Sequence, residues 1–154
     1  MFVVETEFLF GLVPRDLKNA TVEKALDLIK ERGIDVRCLA SGILEVVFVA
    51  KSFGKEEGEI RGAVSAMLSK MREHGIGSVE SIGVNDILGC LSLRELYATT
   101  FYDSLHASSA LNRSATLISN DKTYDKIDGL ERISFQLFVR SAKPWRKSAG
   151  KTEC

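Results

Sequence analysis

The sequence FVVETEFL occupies residues 2–9. Its first three residues are apolar, two of them are β-branched, and the run stops at the carboxylate of Glu5. A short apolar run bounded by a polar residue is typical of a buried strand. Residues 115–121, ATLISND, have the same arrangement and end at Asp121. Two buried strands that lead into acids predict a sheet that presents carboxylates at one edge.

Helical patterns alternate with strand-like segments along the rest of the chain. The clearest helix runs from Ile60 to Met71, where apolar residues keep the i, i+3, i+4, i+7 spacing, and His74 can cap its end. Residues 41–53 combine strand-forming side chains with the length of a helix, and we predict a helix. The other predicted helices cover residues 21–32, which Gly33 ends, 88–98 and 101–112, with a turn at 121–129. The predicted strands cover residues 2–4, 34–39, 79–82, 115–118 and 133–139.

This order of elements predicts an α/β fold. Strands that alternate with helices form three layers, α/β/α, around a central, mainly parallel sheet, here of about four to five strands. The length of 154 residues favours one domain, which we assign to residues 1–140, followed by a flexible basic tail at 141–154. Ligands of such folds gather at the carboxyl ends of the strands, which directs attention to Glu5 and Asp121.

The overall charge excludes one mode of action. Lys plus Arg and Asp plus Glu both total 21, so the chain lacks the basic footprint of a tight, non-specific nucleic-acid binder. A protein that meets nucleic acid through a bound metal and a local basic edge remains compatible with this balance. The predicted tail carries Lys143, Trp145, Arg146, Lys147 and Lys151, which either help to hold RNA or only solubilise the chain.

Cysteine use and the start of the chain favour a cytoplasmic protein. Cys38, Cys90 and Cys154 are too few and too far apart for a zinc site or a disulfide framework. The N-terminus has no basic region before its first acid, so no signal peptide is expected. The longest apolar run, Ile43 to Ala50, is too short to span a bilayer.

Four acids stand out by their position. Glu5 ends the first strand, Glu45 interrupts an apolar run, Asp103 lies in the first turn of a predicted helix, and Asp121 follows a late strand. Simpler interpretations exist for three of them. Glu45 can lie on an exposed helix edge, Asp103 can complement the helix dipole, and Asp121 can be a turn former. The hypothesis of a shared site depends on all four together.

Carboxylates that converge repel one another, and a divalent cation removes that repulsion. Mg²⁺ and Mn²⁺ prefer oxygen ligands, and such an ion can supply hydroxide and neutralise charge on a reacting phosphate. This chemistry requires no histidine base. Of the two histidines, His106 lies one helical turn after Asp103 and either supports the site or packs in the helix.

Four segments resemble the motifs of the PIN-domain family, in the same order. They are VVETEFL at residues 3–9, SGILEV at 41–46, YDSLHA at 102–107 and LISNDKTYD at 117–125. The resemblance covers residues 2–135 and is strongest in the last two segments. It implies that Glu5, Glu45, Asp103 and Asp121 are the catalytic, metal-binding residues. Ser119 would orient the site by hydrogen bonding, and Asn120 and Asp125 are nearby alternatives for the fourth ligand.

The resemblance also implies a function. PIN domains are metal-dependent ribonucleases that use Mg²⁺ or Mn²⁺, often as the VapC-like toxin of a VapBC-type toxin–antitoxin pair, and they are commonly homodimers. The expected partners are therefore an RNA substrate, an antitoxin protein and a second copy of the chain, with no membrane. An RNA-processing nuclease is the other catalytic role that the family offers.

The first motif departs from the family pattern. The family usually has Asp where this chain has Glu5, and often an amide where it has Glu7. An extra methylene moves a carboxylate by about 1 Å, and such a displacement can cost about 100-fold in rate. A non-catalytic PIN-like module that binds RNA or a protein is therefore the alternative. A phosphatase or phospho-receiver is disfavoured, because Glu5 is a poor substitute for an aspartyl nucleophile and no lysine ends the late strand.

Overall fold

The computed structural model describes residues 1–141. The strands are β1 (Phe2–Val4), β2 (Val36–Leu39), β3 (Val79–Glu80), β4 (Thr116–Ile118) and β5 (Arg132–Ile133). The helices are α1 (Thr6–Gly11), α2 (Asn19–Arg32), α3 (Ala40–Ser52), α4 (Glu57–Glu73), α5 (Val84–Tyr97), α6 (Phe101–Asn112) and α7 (Phe135–Ser141), with a 3₁₀ turn at Lys122–Lys126. The predicted tail lies outside the described residues except for Ser141, and Cys154 lies outside them as well.

All five strands are parallel and form one sheet in the order β3-β2-β1-β4-β5. The central strand is β1, whose Val4 lies beside Cys38 of β2 and Ile118 of β4. The predicted three-layer α/β/α fold with a parallel sheet is therefore confirmed. Within residues 1–141, no helix combines the length and the apolar character needed to cross a bilayer.

Alternate residues of the central strands supply two separate cores. Val4, Cys38 and Ile118 face one core, which the buried sides of α1, α2 and α7 complete. Val3 and Leu117 face the other core, which includes Ala107 and Ala110 of α6 and Tyr124 of the 3₁₀ turn. This is the alternation expected of strands, here with apolar residues on both faces because helices cover both. The sheet is therefore buried, and its free polar groups are at its edges.

The prediction of a strand at residues 133–139 is wrong. The strand β5 stops at Ile133, and Ser134 then caps helix α7, since its hydroxyl accepts the Leu137 N–H at 3.3 Å. Phe135 and Phe138 are fully buried, at the i, i+3 spacing of a helix. Their rings pack edge-to-face on Phe8 and Phe2, with centroid distances of 5.8 and 5.2 Å. The sequence of this segment is compatible with a strand or a helix, and packing against the rest of the protein favours the helix.

Other local predictions are confirmed with shifted ends. Residues 40–52 form a helix, as predicted for 41–53, and Gly33 ends α2 in the left-handed conformation with φ of 60°. His74 caps α4, and its Nδ1 lies 2.8 Å from the Lys70 carbonyl oxygen. Helix α1 has only six residues and was not predicted, because it is too short to show a helical period.

A buried ion pair fixes helix α5 to the end of α6. The Asp86 carboxylate accepts hydrogen bonds from the Arg113 guanidinium at 3.0 and 3.1 Å, from Asn112 at 2.8 Å and from the Gly83 N–H at 2.9 Å. Burial alone would raise the pKa of Asp86, but these hydrogen bonds together hold it below its usual value. Arg113 also contacts Glu80 at 2.9 Å, so the pair reaches the edge strand β3.

We expect Asp86→Ala to lower the free energy of unfolding by about 3 kcal/mol, because it leaves the Arg113 charge largely buried without its main partner. Urea denaturation measures this change. The matched control is Asp35→Ala, which removes an exposed carboxylate 3.1 Å from Arg37 and should change the free energy by less than about 0.5 kcal/mol. Equal effects of the two substitutions would contradict a structural role for the buried pair.

Candidate functional site

The carboxyl ends of β1, β2 and β4 open into a cleft of about 410 Å³. The four acids singled out by the sequence all line it, although they are up to 116 positions apart. The lining residues are Glu5, Thr6, Glu7, Phe10, Glu45, Asp103, Ser119, Asn120, Asp121 and Tyr124. Five of these residues are acids, and none of the lining residues within 1–141 is a lysine or arginine. The cleft is therefore a concentration of negative charge.

Glu5 is the most buried of the cleft carboxylates, with 4% of its surface exposed. One carboxyl oxygen, Oε2, caps helix α1 by accepting the Glu7 N–H at 2.7 Å. The other, Oε1, is buried and has no hydrogen-bond partner among the described residues. Burial raises the pKa of Glu5 to about 8, and the nearby charges of Glu7 and Glu45 act in the same direction.

Helix α3 brings Glu45 to Glu5 through an unusually close backbone approach. A Cβ atom on Gly42 would lie 3.0 Å from the Thr6 nitrogen and 3.1 Å from the Glu5 carbonyl carbon, so only glycine permits this packing. Glu45 follows Gly42 by almost one helical turn, and its Oε2 accepts the Thr6 hydroxyl proton. Burial raises the pKa of Glu45, and the charge of Asp103 adds to this effect.

Asp103 enters the cleft from the first turn of α6. Thr100 caps this helix: its hydroxyl oxygen accepts the Asp103 N–H at 3.2 Å and its hydroxyl proton goes to Asp103 Oδ2 at 2.5 Å. The other oxygen, Oδ1, lies 3.5 Å from the Tyr124 hydroxyl. The side chain is therefore held from both sides while it borders the open cleft.

The end of β4 supplies the last group of cleft residues. Asp121 caps the 3₁₀ turn by accepting the Thr123 N–H at 2.8 Å, and its own N–H donates to Ser119 Oγ at 3.1 Å. Asn120 lines the cleft, but its Oδ1 accepts the Phe135 N–H at 3.0 Å. Asp125 lies elsewhere: Arg132 binds it at 2.7 Å, and it does not line the cleft.

Glu7 connects the first strand to the fourth. Its Oε2 accepts the Asn120 N–H at 2.8 Å and the Ser119 hydroxyl at 3.3 Å, and its Oε1 lies 3.4 Å from Lys18 Nζ. The sequence marked Glu7 only as a departure from the family pattern. In the structure, Glu7 provides the acceptor for the backbone N–H of Asn120, which follows the end of β4.

Thr6, His106 and Tyr124 form a buried polar group behind the carboxylates. The His106 ring is 1% exposed, with Nε2 3.5 Å from Thr6 Oγ1 and Nδ1 3.3 Å from the Tyr124 hydroxyl. Burial lowers the pKa of His106 to about 4, so its ring is neutral near pH 7. Nothing in the sequence pointed to Thr6 and Tyr124, because the residues that their hydroxyl groups contact come close only in the folded structure.

The cleft residues fit a divalent cation. The cleft offers carboxylate and hydroxyl oxygens as ligands. Among the residues that the structure describes, Glu5 Oε1 is a buried acceptor without a donor, and no lysine or arginine side chain lines the cleft. Within residues 1–141, no three acidic, histidine or cysteine side chains are arranged so that they could together hold a metal ion. Mg²⁺ does not need such a group, since it is usually bound by one or two carboxylates and keeps several waters.

The chain is thus a parallel α/β domain with an acidic cleft at the carboxyl ends of its strands. The family model described as PIN domain matches residues 2–130, so the chain belongs to the PIN domain family. No curated protein matches the sequence significantly.

Solved structures show the same fold at low sequence identity. A chain of the VapBC2 complex from Rickettsia felis, bound to a promoter DNA fragment, is 15% identical, with a TM-score of 0.66 over 86% of this chain and 97% of that one. A chain of DNA-bound VapBC from Salmonella typhimurium is 15% identical, with a TM-score of 0.63 over 87% and 97%. A toxin–antitoxin complex from Klebsiella pneumoniae is 17% identical, with a TM-score of 0.58 over 88% and 98%.

Without metal, the stability of this fold should depend on pH through Glu5. The folded protein keeps the Glu5 proton up to a pKa of about 8, whereas the unfolded chain loses it near 4.5. The contribution is fully present below pH 4.5 and is lost as the pH rises through 8, because the folded state binds more protons within that window. Since Gln does not titrate, the difference in unfolding free energy between wild type and Glu5→Gln should change across this window.

Urea denaturation in EDTA at stepped pH measures this difference. The control is Glu31→Gln, which alters an exposed glutamate on α2 outside the cleft. If the difference for Glu5→Gln depended on pH no more than that of the control, folding would not raise the pKa of Glu5.

Proposed function

We propose that this protein is a metal-dependent endoribonuclease that cleaves RNA phosphodiesters, with a VapC-like toxin as its biological form. The observation that carries the proposal is the convergence of Glu5, Glu45, Asp103 and Asp121 in one cleft, which no lysine or arginine of the described residues lines. Membership of the PIN domain family supports nuclease chemistry. The shared fold with chains of VapBC complexes supports the toxin role over general RNA processing.

In this proposal the four carboxylates hold one or more Mg²⁺ or Mn²⁺ ions, which supply activated water and neutralise charge on the scissile phosphate. The residues of the protein hold these carboxylates in place. The Asp121 N–H is held by Ser119 Oγ at 3.1 Å, and Ser119 in turn contacts Glu7 at 3.3 Å, so the end of β4 is fixed relative to α1. Asp125 has no part in this site, because it is engaged by Arg132.

The alternative is a PIN-like module that binds RNA or a protein without cleavage. The observation that favours it is Glu5, whose Oε2 is already used to cap α1. The cleft itself disfavours metal-free RNA binding, since within residues 1–141 its lining offers a phosphate no lysine or arginine. The two functions therefore differ in whether the protein requires a divalent cation.

We expect Asp103→Asn to reduce cleavage of single-stranded RNA at least about 100-fold in Mg²⁺ or Mn²⁺, because it removes a charge that only the cation balances. EDTA should abolish cleavage by the wild type. Gel-based cleavage of a labelled RNA measures both effects, and thermal melting checks that the variant is folded.

Asp125→Asn is the matched control, since it removes an exposed carboxylate four residues after Asp121 and outside the cleft. It should retain near wild-type activity. Full activity of Asp103→Asn, or of the wild type in EDTA, would refute the nuclease mechanism, and RNA binding without cleavage in every metal would favour the binding module.

We also propose that the chain forms a homodimer and binds an antitoxin. Helix α5 supports a protein interface, because Val84, Ile87, Leu88 and Leu91 are 72, 45, 57 and 48% exposed at the i, i+3, i+4, i+7 spacing. A single helix face with four exposed apolar side chains is unusual for a surface that meets only water. The proposed cytoplasmic location accords with such an assembly.

We expect Leu88→Asp to shift the protein from dimer toward monomer, because a charge at the centre of a buried apolar interface loses its hydration. Light scattering coupled to size-exclusion chromatography measures the mass. Leu137→Asp is the control, since Leu137 is 56% exposed on α7, on the opposite face of the sheet from α5. A wild-type monomer, or a dimer that persists in Leu88→Asp, would contradict dimerisation through this face.

A further inference from the structure

Two cleft carboxylates from different helices are connected by a continuous chain of buried side chains. Glu45 on α3 accepts the Thr6 hydroxyl, Thr6 contacts His106, His106 contacts Tyr124, and Tyr124 reaches Asp103 on α6. Thr6, His106 and Tyr124 are 5, 1 and 1% exposed. We refer to these three residues as the polar belt.

The groups around the polar belt favour one tautomer of His106 when Glu45 is ionised. Thr6 has one hydroxyl proton, and Glu45 takes it, so the Thr6 oxygen can only accept from His106 Nε2, which lies 3.5 Å away. Glu45 Oε2, 3.8 Å from Nε2, also favours a proton on that nitrogen, and the Ser41 backbone is a further acceptor for the ring. A neutral imidazole has only one N–H, which leaves Nδ1 as an acceptor for the Tyr124 hydroxyl at 3.3 Å. Tyr124 thus shares one proton between His106 and Asp103.

We propose that the polar belt is a positioning device that fixes the spacing of Glu45 and Asp103 before a cation binds. Each belt hydroxyl contacts one of the two carboxylates, and His106 joins the hydroxyls without adding charge. This inference rests on the proposed metal-binding function of the cleft. Thr6 and Tyr124 are positioning residues, since their hydroxyl groups contact the carboxylates of Glu45 and Asp103.

The belt works against electrostatic repulsion. Glu45 and Asp103 line the same cleft, and two ionised carboxylates repel each other, so without other contacts their side chains would turn apart into solvent. Hydrogen bonds from outside the coordination shell hold ligands in place, and their loss typically costs about 10- to 100-fold in metal affinity. The belt supplies such bonds to both carboxylates from one rigid unit.

Removal of single hydroxyls tests the belt while the ring and the side-chain volume are kept. Tyr124→Phe and Thr6→Val should each weaken Mn²⁺ binding by about 10-fold, as measured by titration calorimetry at fixed pH. If the two hydroxyls act through one connected unit, the double variant should lose much less than the product of the single losses. Melting temperatures in EDTA show whether each variant is folded.

Two matched controls remove equivalent groups outside the cleft. Tyr97→Phe deletes a hydroxyl that accepts the Asp128 N–H at 3.2 Å, and Thr116→Val deletes a threonine hydroxyl that donates to Glu131 at 3.1 Å. Both should leave Mn²⁺ affinity within about 2-fold of the wild type, since neither touches a cleft carboxylate.

The spectrum of the His106 ring provides a readout that does not depend on metal. Two-bond ¹H–¹⁵N correlations should show the Nε2–H tautomer in the wild type and a shifted Nδ1 resonance in Tyr124→Phe. An Nδ1–H tautomer would overturn the inference. Unchanged Mn²⁺ affinity in both single variants, or fully multiplicative losses in the double variant, would overturn it too. A wild type that binds no Mn²⁺ would instead refute the proposed function, and the inference with it.

Discussion

The Glu5 carboxyl group is almost completely buried at the end of the central strand, with 4% of the residue exposed. One of its oxygens caps α1 and the other has no hydrogen-bond partner, so the ionised form is only partly compensated within the described residues. Burial of such a charge costs several kcal/mol even after the surroundings relax. The fold therefore tolerates Glu5 either with a proton or beside a cation, and the rest of the cleft favours the second. The close approach of Gly42 places Glu45 in the cleft, and the first turn of α6 places Asp103 there.

The same constraint divides the acids of the chain into two kinds. Asp86, Glu80 and Asp125 are bound by arginines, which hold the pKa of each below its usual value. Glu5 and Glu45 have no arginine beside them, and burial raises the pKa of both. The equal totals of 21 acidic and 21 basic residues do not show which acids have a basic partner. Net charge was therefore uninformative about nucleic-acid chemistry, because the relevant quantity is which acids the fold leaves without a partner.

Much of the fold followed from short-range patterns. Apolar runs that stop at Glu5 and before Asp121 predicted parallel strands with acids at one edge, and the parallel sheet is confirmed. The set of four acids also depended on the family resemblance, since Glu45 and Asp103 have ordinary local explanations. Helix α7 was missed because Ile133, Phe135, Leu137 and Val139 alternate with polar residues as in a strand. The helix instead buries Phe135 and Phe138, whose rings pack on Phe8 and Phe2 at the other end of the sequence. Thr6 and Tyr124 were missed because their partners lie 39 and 21 positions away in the sequence.

Glu5 and Glu7, the two residues that depart from the family pattern, interact electrostatically. Glu5 has one methylene more than aspartate, and its carboxyl group caps α1 while still lining the cleft, so the longer side chain keeps the group in the site. Glu7 accepts the Asn120 N–H, as an amide oxygen also can, but it adds a charge that Lys18 balances only in part at 3.4 Å. That charge helps to raise the pKa of Glu5. Under the proposed function, a cation would compete with a proton for Glu5 near neutral pH, so we expect the affinity of the cleft for metal to rise with pH more steeply than in a site built from aspartate and an amide.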